Sequence, residues 1–174
     1  VNGMDCEDIQ TITASECTET AAESRKIEWY NYNGSTKFPQ YWIHGGAPVY
    51  LRDNNGFLEA DIEHNDGNDQ WYIIKTGEKC QGEDVFYLQN VQTMRYVYRG
   101  SQIGNTGGDW EYAEALLSST NAQTDAYKWI IYTYNNQTAV VNVGGFTGAN
   151  FTNGAYMLHV RNWEAAGLFS NPNI

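Results

Sequence analysis

Proline is scarce in this chain, 3 residues in 174, and so are basic side chains, 10 Lys and Arg against 21 Asp and Glu. The first scarcity excludes a polyproline tract or a proline-stiffened linker. The second, a formal net charge of −11, removes the basic stripe that a phosphate backbone requires, so nucleic acid is not an expected partner. No apolar run approaches the roughly 20 residues that span a bilayer, and the opening VNGMDCEDIQ has neither a basic nor an apolar leader segment, so membrane insertion is not expected either. Also missing are a GxSxG phrase, an HExxH phrase, a P-loop and a dinucleotide glycine loop. Without them the chain is expected to be non-catalytic and to carry no cofactor.

Cysteine is an odd set: Cys6, Cys17 and Cys80. Cys6 and Cys17, close enough in sequence to clamp the N-terminal segment, are disulfide candidates that would leave Cys80 free or joined to another chain; equally, Cys80 pairs with either of them and leaves one over. The spacing has no CxxC clip, and His44, His64 and His159 are far apart, so a zinc site is not expected.

Aromatic residues are plentiful, with 13 Tyr and 6 Trp, and Gly, Asn and Asp clusters punctuate the chain. A chain of this length suits one domain with a sizeable core. Residues 1–26, polar and acidic, read as a loosely attached arm, and residues 27–174 as a single all-β domain. Strands are expected at 27–32, 40–44, 48–52, 57–62, 70–75, 84–91, 94–99, 110–116, 127–134, 138–143 and 155–161, joined by turns such as DNNG, HNDGND and NTGG. WEYAEALLSS (110–119) fits a strand or a short covering helix equally well.

Trp29, Trp71 and Trp129 recur in strand-like phrases, IEWYNYNG, DQWYIIKTG and YKWIIYTYNN. The phrase Gln70-Trp71 is matched by Lys128-Trp129, with Glu28-Trp29 as a displaced third copy; strands ending Leu88-Gln89-Asn90-Val91 and Val141-Asn142-Val143 open two of the units. Over residues 27–165 this arrangement resembles the ricin-B-like β-trefoil lectins. The resemblance implies a β-trefoil-like barrel of short antiparallel strands, closed by IEWYNY beside the last unit, with three indole rings meeting in one core. It also implies a preference for galactose-type sugars, with Asp61, Asn65 and Asn68 favoured as contacts.

Carbohydrate recognition needs a flat ring for the apolar face of a sugar and short polar side chains for its hydroxyls. The stretch 59–72 offers Asp61, His64, Asn65 and Asn68, with Tyr72 on the strand face opposite Trp71. A second candidate, IGNTGGDWEY, offers Asn105, Asp109, Trp110 and Tyr112. Both stretches are also readable as plain turns, with Trp71 in the core. Asp61, Asp66, Asn68 and Asp69 have elements of a calcium site but lack the twelve-residue loop ending in Glu, so no metal is expected. The sequons at Asn33, Asn136 and Asn150 are candidate glycosylation sites and point to a secreted glycoprotein.

The expectation is a lectin-like, non-catalytic domain that binds neutral glycans or glycoproteins through exposed loops. Self-association into a homo-oligomer would strengthen weak single contacts. A protease-inhibitor-like module projecting GNTGGDW (104–110) or NVGGFTGANF (142–151), and a barrel enclosing a small apolar ligand, are the alternatives.

Overall fold

Short runs rich in β-branched and aromatic residues, broken by Asn and Gly, build an all-β chain in the computed structural model, which describes residues 24–29, 49–105, 111–134, 137–144, 155–161 and 165–171. Its strands are β1 (Ser24–Arg25), β2 (Glu28–Trp29), β3 (Val49–Asn54), β4 (Phe57–Asp61), β5 (Trp71–Cys80), β6 (Glu83–Asn90), β7 (Tyr96–Asn105), β8 (Glu111–Ser118), β9 (Trp129–Tyr134), β10 (Gln137–Asn142), β11 (Ala155–Arg161) and β12 (Ala165–Asn171). A 3-10 turn, Asp125–Tyr127, leads into β9. The strands pair antiparallel in the order β1-β5-β6-β9-β10-β11-β12-β4-β3-β2, with β7 bridging β6 and β8, and β8 also pairing β12.

Two hairpins show how local sequence fixes register. Asn55 and Gly56 have φ of 51° and 91°, and Gln81 and Gly82 have φ of 51° and 80°. Two successive left-handed residues make the tight loop whose twist matches a strand pair. The DNNG turn is thus where the sequence places it. The expected end of a strand at Lys75 is not: β5 continues to Cys80, because Gly77, at φ 90°, takes up an irregularity as the register shifts between Lys75 and Lys79. Thr76 Oγ1 accepts the Glu78 N–H at 3.0 Å across this bulge. WEYAEALLSS resolves as strand: β8 turns Ala113 and Ala115 inward in alternation and pairs on both sides, with β7 and β12. The strand β12 has no counterpart in the sequence expectation.

The core gathers Trp71, Trp129, Tyr156, Leu51, Leu58, Leu88 and Val97 in one cluster. Trp71 and Trp129 therefore share a core as expected, while the Trp29 side chain lies outside the described residues.

The trefoil reading is corrected. The main sheet is an open half-barrel whose edges stand 13 Å apart, with no closed threefold barrel, so the chain is not a ricin-B-like trefoil. The reason lies in the segment expected to close it. Ser24 and Arg25 pair with Tyr72 and Trp71 on β5, whereas Glu28 and Trp29 pair with Tyr50 and Val49 on β3. One short stretch divides itself between two margins, so it does not lie as one continuous strand beside either of them. Residues 24–26, assigned by sequence to the arm, take part in this pairing; the rest of the arm, 1–23, and the expected strand 40–44 lie outside the described residues.

The disulfide expectation is corrected as well. Cys80, the one cysteine among the described residues, is fully buried and is not a free thiol, and no disulfide joins two described residues. An arrangement that bonds Cys6 to Cys17 and leaves Cys80 over does not fit this; Cys6 and Cys17 themselves lie outside the described residues. Nothing in the fold bears on the secreted-glycoprotein reading, since Asn33, Asn136 and Asn150 all lie outside the described residues too. Among the described residues no helix is long and apolar enough to cross a membrane.

Candidate functional site

The loop from Ile62 to Gln70, between β4 and β5, hangs on a frame that occurs twice. Trp71 donates its Nε1–H to Leu51 O at 2.8 Å, and Trp129 donates to Val97 O at 3.0 Å. Opposite each Trp across the ladder stands a buried asparagine, Asn90 or Asn142. Asn90 Nδ2 donates to Asn68 O at 2.8 Å, and its Oδ1 accepts from Gln92 N–H and Thr93 N–H, both at 3.0 Å. Asn142 Nδ2 donates to Ala126 O at 3.0 Å and its Oδ1 accepts from Gly144 N–H at 3.0 Å. The residue after each asparagine then donates to the residue before each tryptophan, Val91 to Gln70 and Val143 to Lys128, both at 2.9 Å. An amide side chain that offers both a donor and acceptor lone pairs satisfies a buried loop end that no strand partner can reach.

The two frames fasten their loops with different chemistry. In the first, Arg52 lies buried between Glu59 and Asp66, with contacts of 2.5 Å to each carboxylate. Burial works against the guanidinium charge, but the two carboxylates outweigh it and the Arg52 pKa is raised. Asp66 also feels desolvation, which its bond from Asn68 N–H and the Arg52 charge override, so its carboxyl titrates below the ordinary range. In the second frame the residue that follows Val97, as Arg52 follows Leu51, is Tyr98, and it stacks on Tyr127 with ring centroids 4.8 Å apart and planes 11° from parallel.

Behind the loop, Asp53 is fully buried, accepts from Gly56 N–H at 2.6 Å and Thr93 Oγ1 at 2.5 Å, and ion-pairs with Arg95 at 3.1 Å. Its own N–H donates to Asn68 O at 3.0 Å. At the front, Asp61 Oδ2 meets His64 Nε2 at 2.6 Å while Asp61 Oδ1 accepts the Ile62 N–H at 2.8 Å. The His64 side chain is 38% exposed, so this hydrogen-bonded pair presents an imidazole to solvent, two residues along from an exposed Ile62.

Of the residues singled out by sequence, the fold joins Asp61 with His64. Asn65 is exposed in the left-handed region at φ 56°, at the loop's tip. Asn68 serves as a structural anchor, bonded to Asp66, Asp53 and Asn90. Tyr72 lies on β5, half-buried, between Ser24 and Gln89 in the ladder. Asn105 and Tyr112 fall on β7 and β8, and Asp109 and Trp110 lie outside the described residues. Among the described residues no group of three His, Cys, Asp or Glu side chains is placed to hold a metal ion; Asp61, Asp66 and Asp69 instead face His64, Arg52 and Lys26.

Sequence reasoning missed the Arg52–Glu59–Asp66 clamp and the Asn90 hub. A usable signal existed for the first: a two-residue turn at Asn55-Gly56 sets Arg52 directly across from Glu59. No family model, curated protein or solved structure matches this chain.

Proposed function

We propose that this chain is a non-catalytic recognition domain that binds neutral glycans through the exposed face of the 61–72 loop. The Asp61–His64 pair carries the reading. A carboxylate fixed by a backbone N–H orients a half-exposed imidazole through Nε2, and the second ring nitrogen, Nδ1, is then an oriented hydrogen-bonding group of the kind a sugar hydroxyl needs from a partner. The adjoining Ile62 supplies apolar surface, being 43% exposed, and Asn65 supplies an amide at the tip. Anchoring of the loop base by Asn90 and Arg52 lowers the ordering cost of binding. The charge of −11 favours neutral over sulfated glycans. A core occupied by Trp71, Trp129 and Tyr156 favours a ligand held on the outside over an enclosed apolar one.

The test is a glycan array on the folded chain, followed by titration of the best glycan against His64→Ala. Binding should be competed by the free sugar and weakened about tenfold or more by the substitution. An array without retained glycans, or affinity indifferent to His64, would sink the reading.

A further inference from the structure

Asp69 is a carboxylate at 4% exposure, and its Oδ2 accepts no hydrogen bond. Its charge is met by Lys26, whose Nζ stands 3.3 Å from that oxygen, 2.5 Å from Glu63 Oε1 and 4.9 Å from the centroid of the Tyr50 ring. Two carboxylates and an aromatic face surround one ammonium group, the composition of a lysine-binding cage. A carboxylate buried this far and left without its cation is strongly destabilising, so the cage requires an occupant.

The occupant arrives on a segment that pairs with both margins. Ser24–Arg25 and Glu28–Trp29 each contribute a two-residue ladder, one to β5 and one to β3, and Ile27 O accepts the Leu51 N–H at 2.8 Å. Ile27 itself is buried in the core cluster. Main-chain pairing at a sheet margin with alternating side chains read by pockets is how an added strand is recognised.

We propose that the margins of β5 and β3, with Asp69, Glu63 and the Tyr50 ring between them, form a binding site for an extended peptide carrying lysine followed by an aliphatic residue, and that the chain's own Ser24–Trp29 fills it in cis. The occupied site is self-inhibited: a tethered segment acts at an effective concentration on the order of mM, and an external peptide competes only when the tethered lysine is weakened. The inference does not depend on glycan binding.

The experiment uses the full chain, wild type and Lys26→Gln, with a fluorescein-labelled peptide of residues 22–31 followed by anisotropy. The peptide should bind the Lys26→Gln chain at least tenfold more tightly than the wild type. It should also bind that chain at least tenfold more tightly than does the same peptide with glutamine in place of its lysine, and adding Asp69→Asn to the chain should abolish this preference. Equal affinity for the two peptides, or no binding to a natively folded Lys26→Gln chain, would overturn the proposal. If that variant does not fold, the wild-type chain is titrated to several mM with nitroxide-tagged peptides and observed by NMR. Broadening of the Leu51 and Tyr72 amides by the lysine peptide alone supports the site; equal broadening by both, or none, refutes it.

Discussion

Replacing Asn90 by Ala tests whether the paired frame, rather than the hydrophobic cluster alone, holds the candidate loop. Asn90 is fully buried and makes three bonds: one to Asn68 O, and one each from Gln92 N–H and Thr93 N–H. Asn68 O keeps the Asp53 N–H at 3.0 Å, so the carbonyl is not orphaned, but the two N–H groups lose their acceptor. At about 1 kcal/mol net per bond, with more for a donor left dry, the loss comes to about 2–4 kcal/mol. In urea at 25 °C, with Trp fluorescence reporting on buried Trp71 and Trp129, the midpoint should fall by roughly 1–2 M with an unchanged slope. Asn90→Asp serves as the isosteric control: both acceptors remain, but an oxygen now faces Asn68 O, so it should destabilise comparably at pH 7. Asn142→Ala, which removes the bonds to Ala126 O and from Gly144 N–H, should fall in the same range. A loss under about 1 kcal/mol for Asn90→Ala, with the slope intact, would refute the argument that these amides carry the frame.

Arg52→Met should cost about 3–5 kcal/mol, because it strands Glu59 in a buried position; thermal or urea unfolding reads it directly, and a cost near zero would show that Glu59 finds water. Asp66 and Asp84 both titrate below the ordinary carboxylate range, each overcoming desolvation through hydrogen bonds and cationic neighbours. Their folded-state pKa values lie below the unfolded ones, so the stability they add is complete above the unfolded carboxylate range and is lost as pH falls through the depressed values. Unfolding midpoints measured from pH 6 to pH 2 should therefore decline below about pH 4, and the decline should shrink in Asp66→Asn. Gly100→Ala should destabilise by about 1–3 kcal/mol, since a Cβ there would stand 2.7 Å from Leu116 Cδ1 and 2.9 Å from Glu114 Cβ. At Gly82 a Cβ meets nothing within 4 Å and only the φ of +80° is at issue, so Gly82→Ala should cost about 1 kcal/mol; the order of the two, read by calorimetry, is the check.

Local rules explain which features were legible. The Asn55-Gly56 turn could be read because left-handed backbone at two successive positions demands such residues, and the Trp phrases could be read because one large ring recurs at the head of a strand. WEYAEALLSS was ambiguous because Ala and Leu satisfy either period over so short a stretch; pairing with two neighbours chose strand. Gly77 misled, since a glycine that ends a strand and one that bulges it look alike until a partner strand shows the register. Asp61 and His64, three residues apart, were legible as a polar cluster, but Lys26 could not be linked to Glu63 and Asp69, which lie far along the chain.

What the chain determines by itself is its β character, its acidity and the recurrence of a Trp at the head of a strand, all consequences of side-chain type and short spacing; the asparagine opposite each Trp is supplied by strand pairing. What tertiary structure alone decides is closure and occupancy. Residues 24–29 can pair with either margin at similar cost per hydrogen bond, and dividing them between β5 and β3 leaves the half-barrel open and places Lys26 over Asp69. Backbone hydrogen bonding carries no address in the sequence, so the margin a strand joins is set by which buried charge and which core side chain it satisfies there.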